Sequence, residues 1–262
     1  MSQLTDPRKE FGRAVTAIAA DNDRIVVLSA DSGKSSGFGD FAKAYPERYF
    51  EFGIMEQGVT VIDPATTYID KQVRIGKDSI IHPFTMLTGK VEIGEECIIG
   101  PHAQIADSKV GSGSHLQFCY VQEAELGNRV LVGPYALVRP GSRIADDTHI
   151  GTFVEVTRSR IGRGCDILHL SYIGDACIGD RVSLGTGTVT VNFDGTARRP
   201  TLIGDDVFLG SNTQLIAPVD VPSGVRYAHN AVLTGKVDQD TAPEDNGASD
   251  KVRRRRKKPA AL

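Results

Sequence analysis

From Ile75 onward an aliphatic side chain returns at every sixth position, through Ile81, Leu87, Ile93, Ile99 and Ile105, and again through Leu126, Val132, Val138, Ile144, Ile150 and Val156. Amphipathic helices repeat at intervals of three, four and seven and half-buried strands at two, so a sustained period of six belongs to neither. Glycine follows Ile75, Ile93, Ile99, Val132 and Ile150, as expected of a short strand closed by a turn. Hexapeptides of this kind stack into a parallel β-helix, because no unit can bury its apolar side chain alone. The phase slips by one residue at Val110, Val121, Leu126, Ile161 and Ile178, then resumes through Ile167 and Ile173 and through Ile203, Leu209, Leu215 and Val221. Corner loops of variable length account for the slips. With three hexapeptides to a triangular coil, residues 60 to 236 predict on the order of nine coils, about 4.8 Å apart, and a mainly β fold.

Residues ahead of the repeat follow another pattern. In DPRKEFGRAVTAIAA, residues 6 to 20, Asp6 suits an N-cap and Pro7 the first helical position, while Phe11, Val15 and Ile18 share one face, which predicts a helix with an apolar stripe. A strand is predicted from Ile25 to Ser29, then a polar glycine-rich stretch, DSGKSSGFGD, a second helix through Phe41, Ala42 and Ala44, and a second strand near Tyr49 to Phe52. GKSS does not make a phosphate loop, because that motif needs a glycine five residues before Gly33 and the position is Leu28. The sequence thus divides into an α/β fragment at residues 1–57, the β-helix at 58–236 and a charged tail at 237–262.

The net charge of -3 over 262 residues gives no global field toward nucleic acid. The tail is acidic at Asp238, Asp240, Glu244 and Asp245 and then basic in KVRRRRKK, without apolar periodicity, so it is expected to be disordered. Its basic cluster can touch nucleic acid or anionic lipid, but a solvated tail is the simpler reading. Cys97, Cys119, Cys165 and Cys177 show no CxxC spacing, and Cys97, Cys165 and Cys177 lie inside the repeat, which predicts buried reduced thiols rather than disulfides or metal ligands. No apolar run reaches the roughly 18 residues that span a bilayer and no leader opens the chain, so a cytoplasmic location without membrane insertion is expected.

SADSGKSSGFGDF followed by PERYFEFGIMEQ resembles the start of the pyrimidine-binding domain of transketolase-like thiamine diphosphate enzymes. The resemblance implies that Glu56 is the glutamate that meets the cofactor's aminopyrimidine ring. The pattern stops at Gly58-Val59 and the GDG segment for diphosphate and metal is absent, so no thiamine diphosphate site is expected from this chain alone. From Val59 onward, GVTVIDPATTYID, GPYALVRPGS, HLSYIGDACIGD, TGTVTVNFDG and GSNTQLIAPV resemble the C-terminal acetyltransferase domain of the bacterial bifunctional N-acetylglucosamine-1-phosphate uridyltransferase and glucosamine-1-phosphate acetyltransferase. That likeness implies a left-handed β-helix, a homotrimer with active sites between subunits, acetyl-CoA as co-substrate and an amino sugar phosphate as acceptor. The glycine-rich nucleotide loop of the uridylyltransferase half has no counterpart, so uridylation is not expected.

Acetyl transfer needs a group that takes a proton from a sugar ammonium near neutral pH, and imidazole has the matching pKa. His169 of HLSYIGD stands where the family has its general base, and Ser211 of GSNTQ where it has an oxyanion or thioester contact. The resemblance further implies that Arg139 of LVRPGS binds the sugar phosphate, a group that guanidinium matches bidentately. Tyr172 and Asn192 would contact the sugar, and Arg198 replaces a lysine in the loop from Asn192 to Thr201, which breaks the six-residue repeat as an excursion over a neighbouring site would.

Other positions depart from the family. A lysine that is the second phosphate ligand is Thr157, with Arg158 beside it on what should be the opposite strand face; an asparagine at the substrate site is Ser183; a small alanine by the thioester is Thr186; and a small residue near the cofactor is His229. Thr157, Ser183 and Thr186 are expected to impair the activity or redirect the acceptor. Two readings follow: a sugar N-acetyltransferase of the UDP-N-acetylglucosamine pathway, or a catalytically silent trimeric scaffold that displays the transketolase-like segment.

Overall fold

The computed structural model describes residues 6–29, 37–51 and 58–238. Glu56, the GKSS stretch and the basic tail lie outside them.

Among the described residues, α1 (Pro7–Ile18), β1 (Val27–Ser29), α2 (Gly39–Ala44) and β2 (Tyr49–Glu51) precede the repeat, with a 3-10 turn at Pro46–Arg48 between the last two. Asp6 caps α1 as expected, its carboxylate accepting from the Arg8 N–H at 3.1 Å. β1 and β2 pair in parallel, with Val27, Leu28 and Ser29 opposite Tyr49, Phe50 and Glu51. The apolar stripe on α1 is not its buried face: Phe11 is 62% and Ile18 59% exposed, and the buried residue of the helix is Gly12. A β-carbon at Gly12 would meet the Gly37 carbonyl, so close backbone approach, rather than the stripe, sets how α1 packs. Phe11 contributes only an edge-to-face contact with Phe38 at 5.8 Å.

The rest of the described chain is a parallel β-helix. A ten-stranded sheet forms its first wall, from Thr60–Val61 to Arg226–Tyr227, and an eighteen-stranded sheet wraps the second and third. The sixfold pattern maps directly onto these walls. Ile81, Ile99, Leu116, Val132, Ile150, Ile167, Leu184 and Leu209 lie in register inside the first wall. Leu87, Ile105, Val121, Val138, Val156 and Ile173 line the second, and Ile93, Val110, Leu126, Ile144, Ile161 and Ile178 the third. All are buried, the slipped positions included. Buried Ser and Thr at the corners satisfy themselves on the backbone: the Ser79 hydroxyl donates to Gly94 O and accepts from Cys97 N, both at 3.0 Å.

Cys97, Cys119 and Cys165 are buried free thiols, whereas Cys177 is exposed. The expectation for Cys177 fails because inclusion in the repeat does not fix the face: in the strand Ala176–Ile178 the flanking residues point inward and Cys177 outward.

Most walls turn into the next through a residue with positive φ, and these corners stack. One corner is apolar: Phe84, His102, Phe118, Tyr135, Phe153 and Leu170, followed by Gly187, Asn212 and Asn230. Successive rings lie 4.8, 5.0, 5.6 and 5.4 Å apart, stacked except for the tilted Phe118–Tyr135 pair. A second carries Asp107, Glu123, Arg158 and Asp175, and the third Arg129, Asp147, Arg181 and Asp206, whose guanidiniums and carboxylates pair in twos at 2.6–2.8 Å.

Candidate functional site

Immediately ahead of the apolar corner, one residue per coil completes the first wall. In successive coils these are Thr152, His169, Thr186, Ser211 and His229. The backbone ladder stacks them: Leu170 N donates to Thr152 O at 2.9 Å, Gly187 N to His169 O at 3.3 Å, and Asn212 N and Asn230 N to Thr186 O and Ser211 O at 2.7 Å each. Residues that the sequence scatters over several coils therefore share one column. At about 4.8 Å per coil, His169 and Ser211 stand roughly 10 Å apart with Thr186 between them. His169 and Ser211 are exposed and Thr186 half-buried.

The outward face of the first wall supplies the surroundings of His169. His149, Asp166, Ser183, Phe208 and Arg226 follow one another in register there. Burial holds the pKa of His149 below the usual imidazole value, the Asp166 carboxylate opposes that shift, and His169 adds to it. No motif surrounds His149 in the sequence. The signal lay in register: Ile150 and Ile167 are both core positions, which places His149 against Asp166, and Thr152 against His169. Ser183 thus stands on the same wall as the column, one coil beyond Asp166. The guanidinium of Arg226 lies 4.6 Å from the centre of the Phe208 ring.

Past the corner at Leu170 the chain enters the second wall at Tyr172, and a second group of polar residues gathers. Arg139 is exposed and pairs with Glu155 at 2.7 Å, and Glu155 is the ladder partner of Tyr172. Asp175, at a corner, receives Arg158 bidentately, Nε at 2.7 Å and Nη2 at 3.0 Å. Its Oδ2 also accepts from the amide of the buried Asn192 at 2.5 Å and lies 3.9 Å from Arg198 Nε. The Arg158 pair, with Asn192 in support, keeps the Asp175 carboxyl below its ordinary pKa. Gly174 makes the cluster possible, because a β-carbon there would fall 2.6 Å from both the Asn192 amide nitrogen and the Tyr172 hydroxyl. Tyr172, Asn192 and Arg198 are therefore brought together, with Arg139 two ladder steps from Tyr172.

Arg158 belongs to this group, contrary to the alternation argument that set it on the opposite face from the useful one. Thr157 is the last residue of its strand and Arg158 has φ 48°, so strand alternation has already ended there. The corner turns Arg158 back over Thr157, to whose hydroxyl its Nη1 donates at 3.0 Å. The loop after Asn192 folds upon its own chain. Asp194 Oδ1 accepts from the backbone of Thr196 at 2.9 Å and Ala197 at 2.7 Å, Arg199 Nε donates to Oδ2 at 3.0 Å, and Arg199 N returns to Asn192 O at 2.8 Å. These bonds, the backbone ones foremost, hold the Asp194 carboxyl far below its usual range. Arg198 is thereby presented to Asp175.

Residues 72–107 match the family described as bacterial transferase hexapeptide (six repeats), and residues 5–67 match the transketolase pyrimidine-binding domain, a match that runs on past the start of the β-helix. The chain is 47% identical over 216 residues to the bifunctional protein GlmU of a Geobacillus species, covering 82% of this chain and 44% of that protein. It is 37% identical over 239 residues to GlmU of Clostridium novyi, covering 91% and 51%. The chain thus spans about half the length of the curated relatives it matches. Among solved structures, the UDP-N-acetylglucosamine acyltransferase of Francisella novicida is similar with a TM-score of 0.47 at 18% identity, over 66% of this chain and 62% of that one. The two resemblances noted in the sequence, one to each end of the chain, both stand. Among the described residues no helix is long and apolar enough to cross a membrane.

Proposed function

With the likeness to the bifunctional GlmU proteins as premise, we propose that this chain transfers the acetyl group of acetyl-CoA to the amine of glucosamine-1-phosphate or a related amino sugar phosphate. The observation that carries the reading is the column of His169, Thr186, Ser211 and His229 on one side of a corner and the cluster of Tyr172, Asn192 and Arg198 on the wall that follows, which begins at Tyr172 just past that corner and ends at Asp175 on the next. In the reaction, His169 takes a proton from the sugar ammonium and the freed nitrogen attacks the thioester carbonyl. The tetrahedral oxyanion is met by Ser211 and the backbone amides of its column. Collapse breaks the C–S bond as the nitrogen gives up a second proton; of the two protons the amine has lost, one passes by way of His169 to the departing sulfur, so that CoA leaves as a thiol, and the other goes to solvent. Thr186 stands where the acyl chain must pass, Ser183 contacts the acceptor, and His229 lies further along toward CoA. Arg139 and Arg198 face the phosphate, while Tyr172 and Asn192 fix the sugar.

The same reading makes the chain a cytoplasmic homotrimer, since the column lies open along one edge and a second copy would close it. Residues 58–236 act as the catalytic domain, 1–57 as an appended fragment and 237–262 as a tail. The test is release of CoA thiol from acetyl-CoA in the presence of glucosamine-1-phosphate, with sedimentation to establish the oligomer. Turnover that disappears in His169→Ala supports the proposal; a trimer without turnover over a panel of amino sugars favours the silent scaffold.

A further inference from the structure

Three side chains near Asp175 converge on its carboxylate. Arg158 reaches it with two nitrogens, Asn192 with its amide and Arg198 with Nε at 3.9 Å. This is the donor set that a phosphate monoester calls for: one guanidinium in fork geometry, a second cation at the rim and a neutral amide donor, gathered closely because Gly174 has no side chain to push the Asn192 amide and the Tyr172 hydroxyl aside. Two guanidiniums against one carboxylate leave the cluster with an excess positive charge. Arg139, on the same wall, is already committed to Glu155 at 2.7 Å.

From this geometry we propose that Arg158 is the specificity-determining phosphate ligand of this chain and that Asp175 is an internal anion that competes with the substrate phosphate for it. The inference rests on the acetyltransferase reading for the identity of the ligand, and on the cluster alone for the competition. A phosphate carries up to two charges against the single charge of Asp175, so it draws Arg158 and Arg198 from the carboxylate, with Asn192 as the shared donor. An unphosphorylated amino sugar offers no such exchange and leaves the pair closed. Thr157 then has a positive use, because its hydroxyl receives Arg158 Nη1 at 3.0 Å and steadies the guanidinium over the site where a longer side chain would displace it.

The test uses the full chain and two probes, glucosamine-1-phosphate and inorganic phosphate, titrated calorimetrically alongside the thiol-release assay. Arg158→Ala should weaken binding of both probes about tenfold or more, as loss of a charge-assisted pair does, and leave the KM for acetyl-CoA unchanged. Arg158→Lys should restore part of the affinity, and Asp175→Asn should tighten both probes several-fold. Unchanged probe affinity in Arg158→Ala, or weaker binding in Asp175→Asn, overturns the proposal and makes the pair a structural staple. Circular dichroism melts of the same variants separate lost folding from lost affinity. If the wild-type chain binds the probes yet turns over no amino sugar, the acetyltransferase reading fails while the phosphate cradle stands.

Discussion

The two strips of the site are built by opposite means. The column of His169, Thr186, Ser211 and His229 is placed by the repeat alone: one residue per coil, stacked by ladder hydrogen bonds that any side chain at those positions would inherit. The cluster at Asp175 stands on a regular corner but is assembled by what the repeat does not specify, namely the charged side chain at Arg158, a glycine at 174 and the inserted loop after Asn192, and its side chains are tied to one another. The first arrangement is rigid in position and free in side chain. The second is defined by its side chains and depends on their mutual pairing. Chemistry that needs an exposed base suits the first, and recognition of a charged ligand suits the second.

The sharpest way to break this contrast is His169→Ala. Loss of a positioned general base should lower kcat by about a hundred- to ten-thousand-fold with little change in melting temperature, since the exposed side chain supports nothing. Stopped-flow or steady-state thiol release measures it, and a loss below tenfold would remove His169 from the proton transfer. Ile167→Ala should act on the fold instead. Ile167 is the fully buried residue of the strand that carries His169, and truncation of such a side chain costs about 2–5 kcal/mol, read from urea unfolding. Asp194→Ala should leave the column's work intact and loosen only the loop that presents Arg198. The expected result is a several-fold rise in KM for the sugar phosphate at unchanged KM for acetyl-CoA; equal effects on both would mean that the loop serves the whole site.

The smallest effect is on pH. Burial lowers the pKa of His115 and of His149. A group whose folded pKa is depressed binds its proton more readily when unfolded, so its contribution to stability is complete above the unfolded histidine value of about 6.5 and declines as pH falls through the folded value. Melting temperature should therefore drop modestly between pH 7 and pH 5, with a flatter slope in the His115→Gln, His149→Gln double variant. Thiol labelling checks the wall assignment independently. Burial pushes Cys119 up to about 12 and Cys165 up to about 11, and raises Cys97, so Cys177 should react first with a disulfide reagent at pH 8 and the other three only on denaturation.

How much of this was legible in the sequence follows the same division. A period of six encodes the inward columns, and with them the register, because an aliphatic residue on the wrong face exposes a whole wall. His169 and Ser211 could be found because they sit in motifs, and their shared column follows from counting coils. Arg158 could not be read by strand alternation, since that rule lapses at a left-handed corner. The stripe on α1 misled for a different reason: helical periodicity marks which residues can be buried together, and whether a neighbour covers them depends on contacts such as Gly12 against Gly37 that no periodicity encodes. Cys177 failed because membership of a repeat names the wall and leaves the side open.

The apolar corner loses its bulk in mid-stack. From Phe84 to Phe153 it is a continuous rib of rings, and from Leu170 it drops to Gly187 and then to Asn212 and Asn230. A prism with one kind of side chain at this corner would offer the same surface at every level. The step instead divides the edge in two, and the column of His169, Thr186 and Ser211 begins where the rings end.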